Sequence, residues 1–91
     1  MEFEWDPAKA DSNFRKHGIT FAEASLAFDD PRSLEFVDNS GWPDEERWRL
    51  IATQNGTVLV VIYTERPPVT RIISARKGNR HEQRLYQSQN N

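Results

Sequence analysis

Asn55-Gly56 joins two runs, ERWRLIATQ and TVLVVIYT, and this junction constrains the fold more than any other feature of the chain. Asn-Gly readily supplies the two positive-φ residues of a tight hairpin turn, so the runs are predicted to be neighbouring antiparallel strands. In the first, the period of two sends Glu46, Trp48, Leu50 and Ala52 to one side and Arg47, Arg49 and Ile51 to the other. The second is apolar on both faces, which predicts a central strand with at least one helix layer over it.

Other strands follow from the same pattern. SLEFV alternates from Ser33, DNSGWPDE is a loop broken by Gly41 and Pro43, and ERPPV is a turn whose prolines suit no strand. Val69 to Arg76 is the last strand, with Ile72, Ser74 and Arg76 predicted on one face and Arg71, Ile73 and Ala75 on the other. Phe3 and Trp5 mark a short strand at the start. Between them lie two helices. Asp6 followed by Pro7 is the preferred order of cap and first helical residue, so a helix should run from Pro7 to about His17. Ala10, Phe14 and His17 would form its inward stripe and Gly18 its stop. Thr20 and Glu23 are spaced as a capping box for a second helix burying Phe21, Ala24, Ala27 and Phe28, which DDPR ends. Asn79 caps a third helix holding His81, Glu82, Leu85 and Tyr86, and QSQNN should fray. The fold class is therefore α+β: a small antiparallel sheet of four main strands plus the short N-terminal one, flanked by two N-terminal helices and one C-terminal helix.

A chain of 91 residues with no internal repeat is expected to be one domain, residues 1–91, with an ordered core over about 2–87. A domain of this size buries roughly 60 to 65% of its unfolded surface, which favours a surface groove over a deep cavity. It has no cysteine, so disulfides and thiolate metal sites are excluded. VLVVIY is too short to span a membrane, and the cytoplasm is the default compartment.

Net charge is only −2, yet the charges are segregated. Residues 1–65 carry six Lys/Arg against thirteen acids, and residues 66–91 carry six against one. Such asymmetry suits a basic site facing a polyanion, although solvated surface charge would produce it too. Arg76 ends a strand, a rigid support from which a guanidinium can bind phosphate or pair with Glu46 or Glu82. Lys77 and Arg80 flank the start of the last helix, where free amides also favour an anion. Arg84 shares a helix face with Arg80, and Tyr86 can stack on an unpaired base or pack on the sheet.

Acid-base candidates are His17, His81, Glu46 and Lys16, with no Ser/His/Asp set, no Gly-rich phosphate loop and no metal-ligand spacing. RNA carries its own nucleophile, the 2′-hydroxyl, so a cofactor-free, arginine-rich site would suffice for its cleavage. Glu46 or His17 would serve as base and Arg47, Arg71, Arg76 and Arg80 as cations. The plainer alternatives are a helix-ending core histidine for His17 and a surface strand pair for Glu46 and Arg47.

FEWDPAKADSNFRKHGITFAEA, EERWRLIA and TERPPVTRIISARKGNRHEQRLY together resemble the BrnT family of type II toxin-antitoxin ribonuclease toxins, from Phe3 to about Tyr86. The resemblance implies a RelE-like fold, translation inhibited by metal-independent RNA cleavage, and a BrnA-type antitoxin whose dimer neutralises the toxin and binds operator DNA itself. Lys16-His17, Glu46-Arg47, Arg71, Arg76 and Arg80-Glu82-Tyr86 match the family pattern. Glu46, Arg47, Arg76, Arg80 and His17 are thus the catalytic candidates, and Lys16, Arg71, Lys77, Arg84 and Tyr86 the substrate-binding ones. The runner-up is an inactive module of the same fold that binds RNA or antitoxin, since His81 and Gln83 stand where the family often has arginine.

Overall fold

The computed structural model describes residues 1–38 and 45–89. In chain order the elements are β1 (Glu2–Glu4), α1 (Pro7–His17), α2 (Phe21–Ala27), β2 (Leu34–Asp38), β3 (Arg47–Gln54), β4 (Thr57–Arg66), β5 (Val69–Lys77) and α3 (Arg80–Gln89). The strands form one sheet in the order β1-β5-β4-β3-β2, antiparallel throughout except for the parallel pairing of β1 with β5. The α+β class, the antiparallel hairpins and the central place of β4 are as the sequence predicts. Asn55 and Gly56 both take positive φ, 51° and 79°, as the tight hairpin turn demands. The predicted breaks at Gly41 and Pro43 lie outside the described residues.

One sheet face packs under α2. Phe21, Ala24 and Ala27 meet Leu50, Ala52, Leu59, Val61, Tyr63, Ile72 and Ala75 in the main core. Aromatic rings close its open end: Phe28 lies 5.0 Å from Phe3 and 4.9 Å from Tyr63, and Trp5 meets Phe21 at 5.9 Å. Each large side chain buried there contributes roughly 1.5–3 kcal/mol. On the opposite face Ile51 and Val60 are also buried, so β4 carries apolar residues on both sides.

The expected inward stripe of α1 holds only in part, at Ala10, which packs against the core. Phe14 is 51% exposed and Ala10 and His17 are only partly buried, whereas Asn13 is the buried residue. The reason lies at the sheet edge. β1 pairs β5 only through Val69, Thr70 and Arg71, which leaves Ala75 without a strand neighbour on that side. Asn13 takes the neighbour's place: its Nδ2 donates to Ala75 O (2.8 Å) and its Oδ1 accepts from Ala75 N (3.1 Å). Nδ2 also donates to Ile19 O at 3.1 Å, which fixes the turn after α1. An apolar side chain at this position would leave three backbone groups unsatisfied.

A second correction concerns β5. The register shifts where Ile62 faces Ser74 but Tyr63 faces Ile72, so Ile73 is an extra residue. This bulge puts Ala75 on the core face with Ile72 and leaves Ser74 and Arg76 on the other, against the simple alternation predicted. The cap of α3 is fuller than Asn79 alone: Asn79 Oδ1 accepts from Glu82 N and Glu82 Oε1 from Asn79 N, both at 2.8 Å. The helix continues to Gln89, so Gln87, Ser88 and Gln89 do not fray as expected.

Candidate active site

α3 covers only the hairpin end of its sheet face. It starts where Gly78 N donates to Val58 O and passes Thr53, whose Oγ1 lies 3.3 Å from Tyr86 Oη. Beyond it the register aligns Phe36, Arg49, Ile62 and Ser74 in one row across β2, β3, β4 and β5, all partly exposed. Arg47 lies two residues before Arg49, on the same face.

The arginines of this face differ in their partners. Arg76 forms a fork to Glu82, Nη1 to Oε1 at 2.7 Å and Nη2 to Oε2 at 2.8 Å. That hydrogen bond, against the cost of burial, holds the Glu82 carboxyl below its usual range, and the same contact raises Arg76. Arg71 donates to Glu4 Oε2 at 2.9 Å. Arg49 has no direct ion pair among the described residues, although its charge is near enough to Glu82 to add to the lowering of that carboxyl. Its guanidinium carbon sits 5.4 Å from the centre of the Phe36 ring, and its Nε is buried without a hydrogen-bond partner. That buried Nε is out of an anion's reach, and it is the partly exposed remainder of the Arg49 side chain that can meet an incoming anion.

The remaining candidates fall into separate groups. Lys16 and His17 lie at the end of α1, where they line a groove with Ile73 and Ser74 at the β5 edge. Glu46 is exposed just before Arg47, and its carbonyl accepts from Thr64 Oγ1 at 2.8 Å. Lys77, Arg80 and Arg84 are exposed at the end of β5 and on α3. Tyr86 donates to Asp30 Oδ2 at 2.6 Å, so its hydroxyl anchors the far end of α3. Asp30 also accepts from Thr53 N, Thr53 Oγ1 and Arg32 N. Burial opposes its ionisation, but these donors together outweigh burial and bring its pKa down to about 2. The structure thus joins Arg47 with the Arg49 row and Lys16 with His17, and sets Tyr86 apart.

A family model for the ribonuclease toxin BrnT of type II toxin-antitoxin systems matches residues 5–82. The chain belongs to this family. No curated protein sequence matches it. Within this BrnT-family chain, Arg49 is a candidate that the sequence alone did not single out. Its alternation with Arg47 and Ile51 was visible, but its lack of a direct ion pair among the described residues depends on register across β2, β3 and β4 and has no local signal. Among the described residues no three His, Asp or Glu side chains gather as a metal-binding group, and no helix is long and apolar enough to cross a membrane.

Proposed function

We propose that this single-domain BrnT-family chain is an endoribonuclease that holds the RNA backbone at Arg49 and cleaves it without a metal ion, inhibiting translation in the cytoplasm. The partly exposed Arg49, which has no direct ion pair among the described residues and lies on the sheet face beyond α3, is the observation that carries this reading. Arg47 and Arg49 stabilise the phosphorane, and Glu46 or His17 takes the proton of the 2′-hydroxyl. The 2′-oxygen forms its bond to phosphorus as the bond to the 5′-oxygen breaks, and that oxygen leaves with a proton taken from solvent water. The products are a 2′,3′-cyclic phosphate and a 5′-hydroxyl. Arg76 holds α3 through Glu82, Tyr86 anchors the far end of that helix through Asp30, and Arg80, Lys77, Arg84, Lys16 and Arg71 supply further contacts to the strand. A BrnA-type antitoxin dimer, itself bound to operator DNA, neutralises the toxin, and the acid-rich first 65 residues suit a basic segment of that partner.

The test is cleavage of a defined RNA in EDTA by antitoxin-free protein. Arg49→Ala should slow it on the order of 10²-fold, the usual effect of losing one donor to a developing charge. An unchanged rate at equal folded fraction would sink the role of Arg49. The second reading, an RNA- or antitoxin-binding module without activity, is favoured by the neutralisation of Arg71 and Arg76 by Glu4 and Glu82. RNA binding with no cleavage, ribosomes included, would establish it.

A further inference from the structure

The groove between α1 and the β5 edge encloses about 360 Å³ and is lined by Ala8, Lys9, Ser12, Asn13, Lys16, His17, Ile73 and Ser74. No carboxylate lines it, although it is built largely from the acid-rich part of the chain. Lys9, Ser12 and Lys16 recur at helical spacing along one side and all three are exposed. The two lysines are about 10 Å apart along the axis, seven residues at 1.5 Å each. Ser74 belongs both to this groove and to the row that contains Arg49. It lies two strand spacings from Arg49, about 10 Å. A polyanion held at Arg49 and running across Ile62 therefore reaches the groove without meeting an acid on the row.

We infer that this groove is a second subsite, in which Lys9 and Lys16 hold backbone phosphates of single-stranded RNA flanking the segment bound at Arg49. The inference rests on the proposed RNA-cleaving function and adds a place for the strand outside the scissile step. Ile73 and the stem of Lys16 give a sugar or base an apolar wall, while Ser12 and Ser74 offer hydroxyls to the 2′-oxygens. Asn13 is unavailable for this, because its amide is committed to Ala75 and Ile19.

The test is the salt dependence of binding to a short single-stranded 2′-O-methyl RNA, which cannot be cleaved, by wild type, the Lys9→Gln/Lys16→Gln double variant, Arg15→Gln and Arg49→Ala. Each phosphate contact adds about 0.7 to the slope of log K against log salt, so the double variant should lose about 1.4. Arg15→Gln, which removes an exposed charge from α1 outside the groove, should keep the wild-type slope. Arg49→Ala should lose about 0.7 and reports on the main site. A wild-type slope in the double variant, with the Arg49 loss present, would overturn the groove and leave the functional reading standing. Wild type that binds no RNA overturns both. Loss of antitoxin affinity in the double variant with its RNA slope intact makes the groove a protein contact and overturns it as an RNA subsite.

Discussion

Arg76→Ala is expected to destabilise the fold substantially, because its partner cannot easily return to water. Glu82 has 7% of its side chain exposed, and without Arg76 its carboxylate keeps one donor, Asn79 N. Breaking a fully buried ion pair costs roughly 3–5 kcal/mol, because the surviving charge stays buried. Arg76 is 39% exposed, however, so water screens the pair and the cost moves toward that of a surface bridge. A loss of about 2 kcal/mol lies between these limits. For a domain of this size that lowers Tm by about 8–16 °C. Arg76→Lys keeps the charge but not the two-pronged geometry and should fall between wild type and Arg76→Ala. The dependence on pH has a definite sign. Glu82 titrates lower in the folded chain than in the unfolded one, so its stabilisation is complete above the unfolded carboxyl pKa of about 4.3 and is lost as pH falls through the folded value. The gap between wild type and Arg76→Ala should therefore be full at neutral pH and narrow in acid. Thermal unfolding followed by circular dichroism across this range reads both quantities. A variant that melts within about 2 °C of wild type at neutral pH, or a gap that ignores acid, would refute the reasoning.

Substitutions at two further positions test other parts of the fold. Asn13→Ala removes the partner of Ala75 N, Ala75 O and Ile19 O and should cost about 3 kcal/mol, water at the edge recovering part of the three lost bonds. Asn13→Leu restores volume but none of the bonds, so urea unfolding should find it no more stable than Asn13→Ala; wild-type stability in the leucine variant would show that the amide is dispensable. Asp30 has a folded pKa of about 2 against an ordinary carboxyl near 3.8, so its contribution is present above the higher value and disappears as pH falls toward the lower. Asp30→Asn should thus be less stable than wild type at neutral pH and nearly equal to it near pH 2, measured by urea midpoints; a constant difference over that range would be the contrary result.

The legible parts of this fold were those written in adjacent residues. Asn55-Gly56, the Thr20 to Glu23 box, Asp6-Pro7 and Asn79 each act within one turn, and each appears where the sequence puts it. What was missed depends on contacts far apart in the chain. Asn13 looks like a polar residue on the outer side of α1, and only the shortness of β1 at residues 2–4 makes it stand in for a strand beside Ala75, 62 residues away. The bulge at Ile73 inverts the expected faces of β5 without any glycine or proline to announce it. For the site, the types of residue were readable, but which arginine keeps its charge available was not, since that is decided by where Glu4 and Glu82 come to lie.

Folding changes what the charge segregation means. Of the six cations after residue 65, Arg66, Arg71 and Arg76 are ion-paired, the first two with Glu45 and Glu4 from the acid-rich part of the chain. Much of the contrast along the sequence is therefore cancelled by strand pairing and cannot by itself attract a polyanion. An exposed ion pair contributes little net field beyond the screening length of about 8 Å at physiological salt. On the proposed function, the charge left for RNA comes instead from Lys77, Arg80 and Arg84 on the surface, from Lys9 and Lys16 at the α1 groove and, within the sheet, from Arg49, the last three belonging to the segment that carries net negative charge. The distinction has a chemical consequence. A mobile surface cation steers a strand toward the protein at long range, whereas a guanidinium fixed between Phe36 and Ile62 can meet one phosphate in one geometry. Removal of the exposed cations should mainly slow association, while removal of Arg49 should lower the rate of the bound complex.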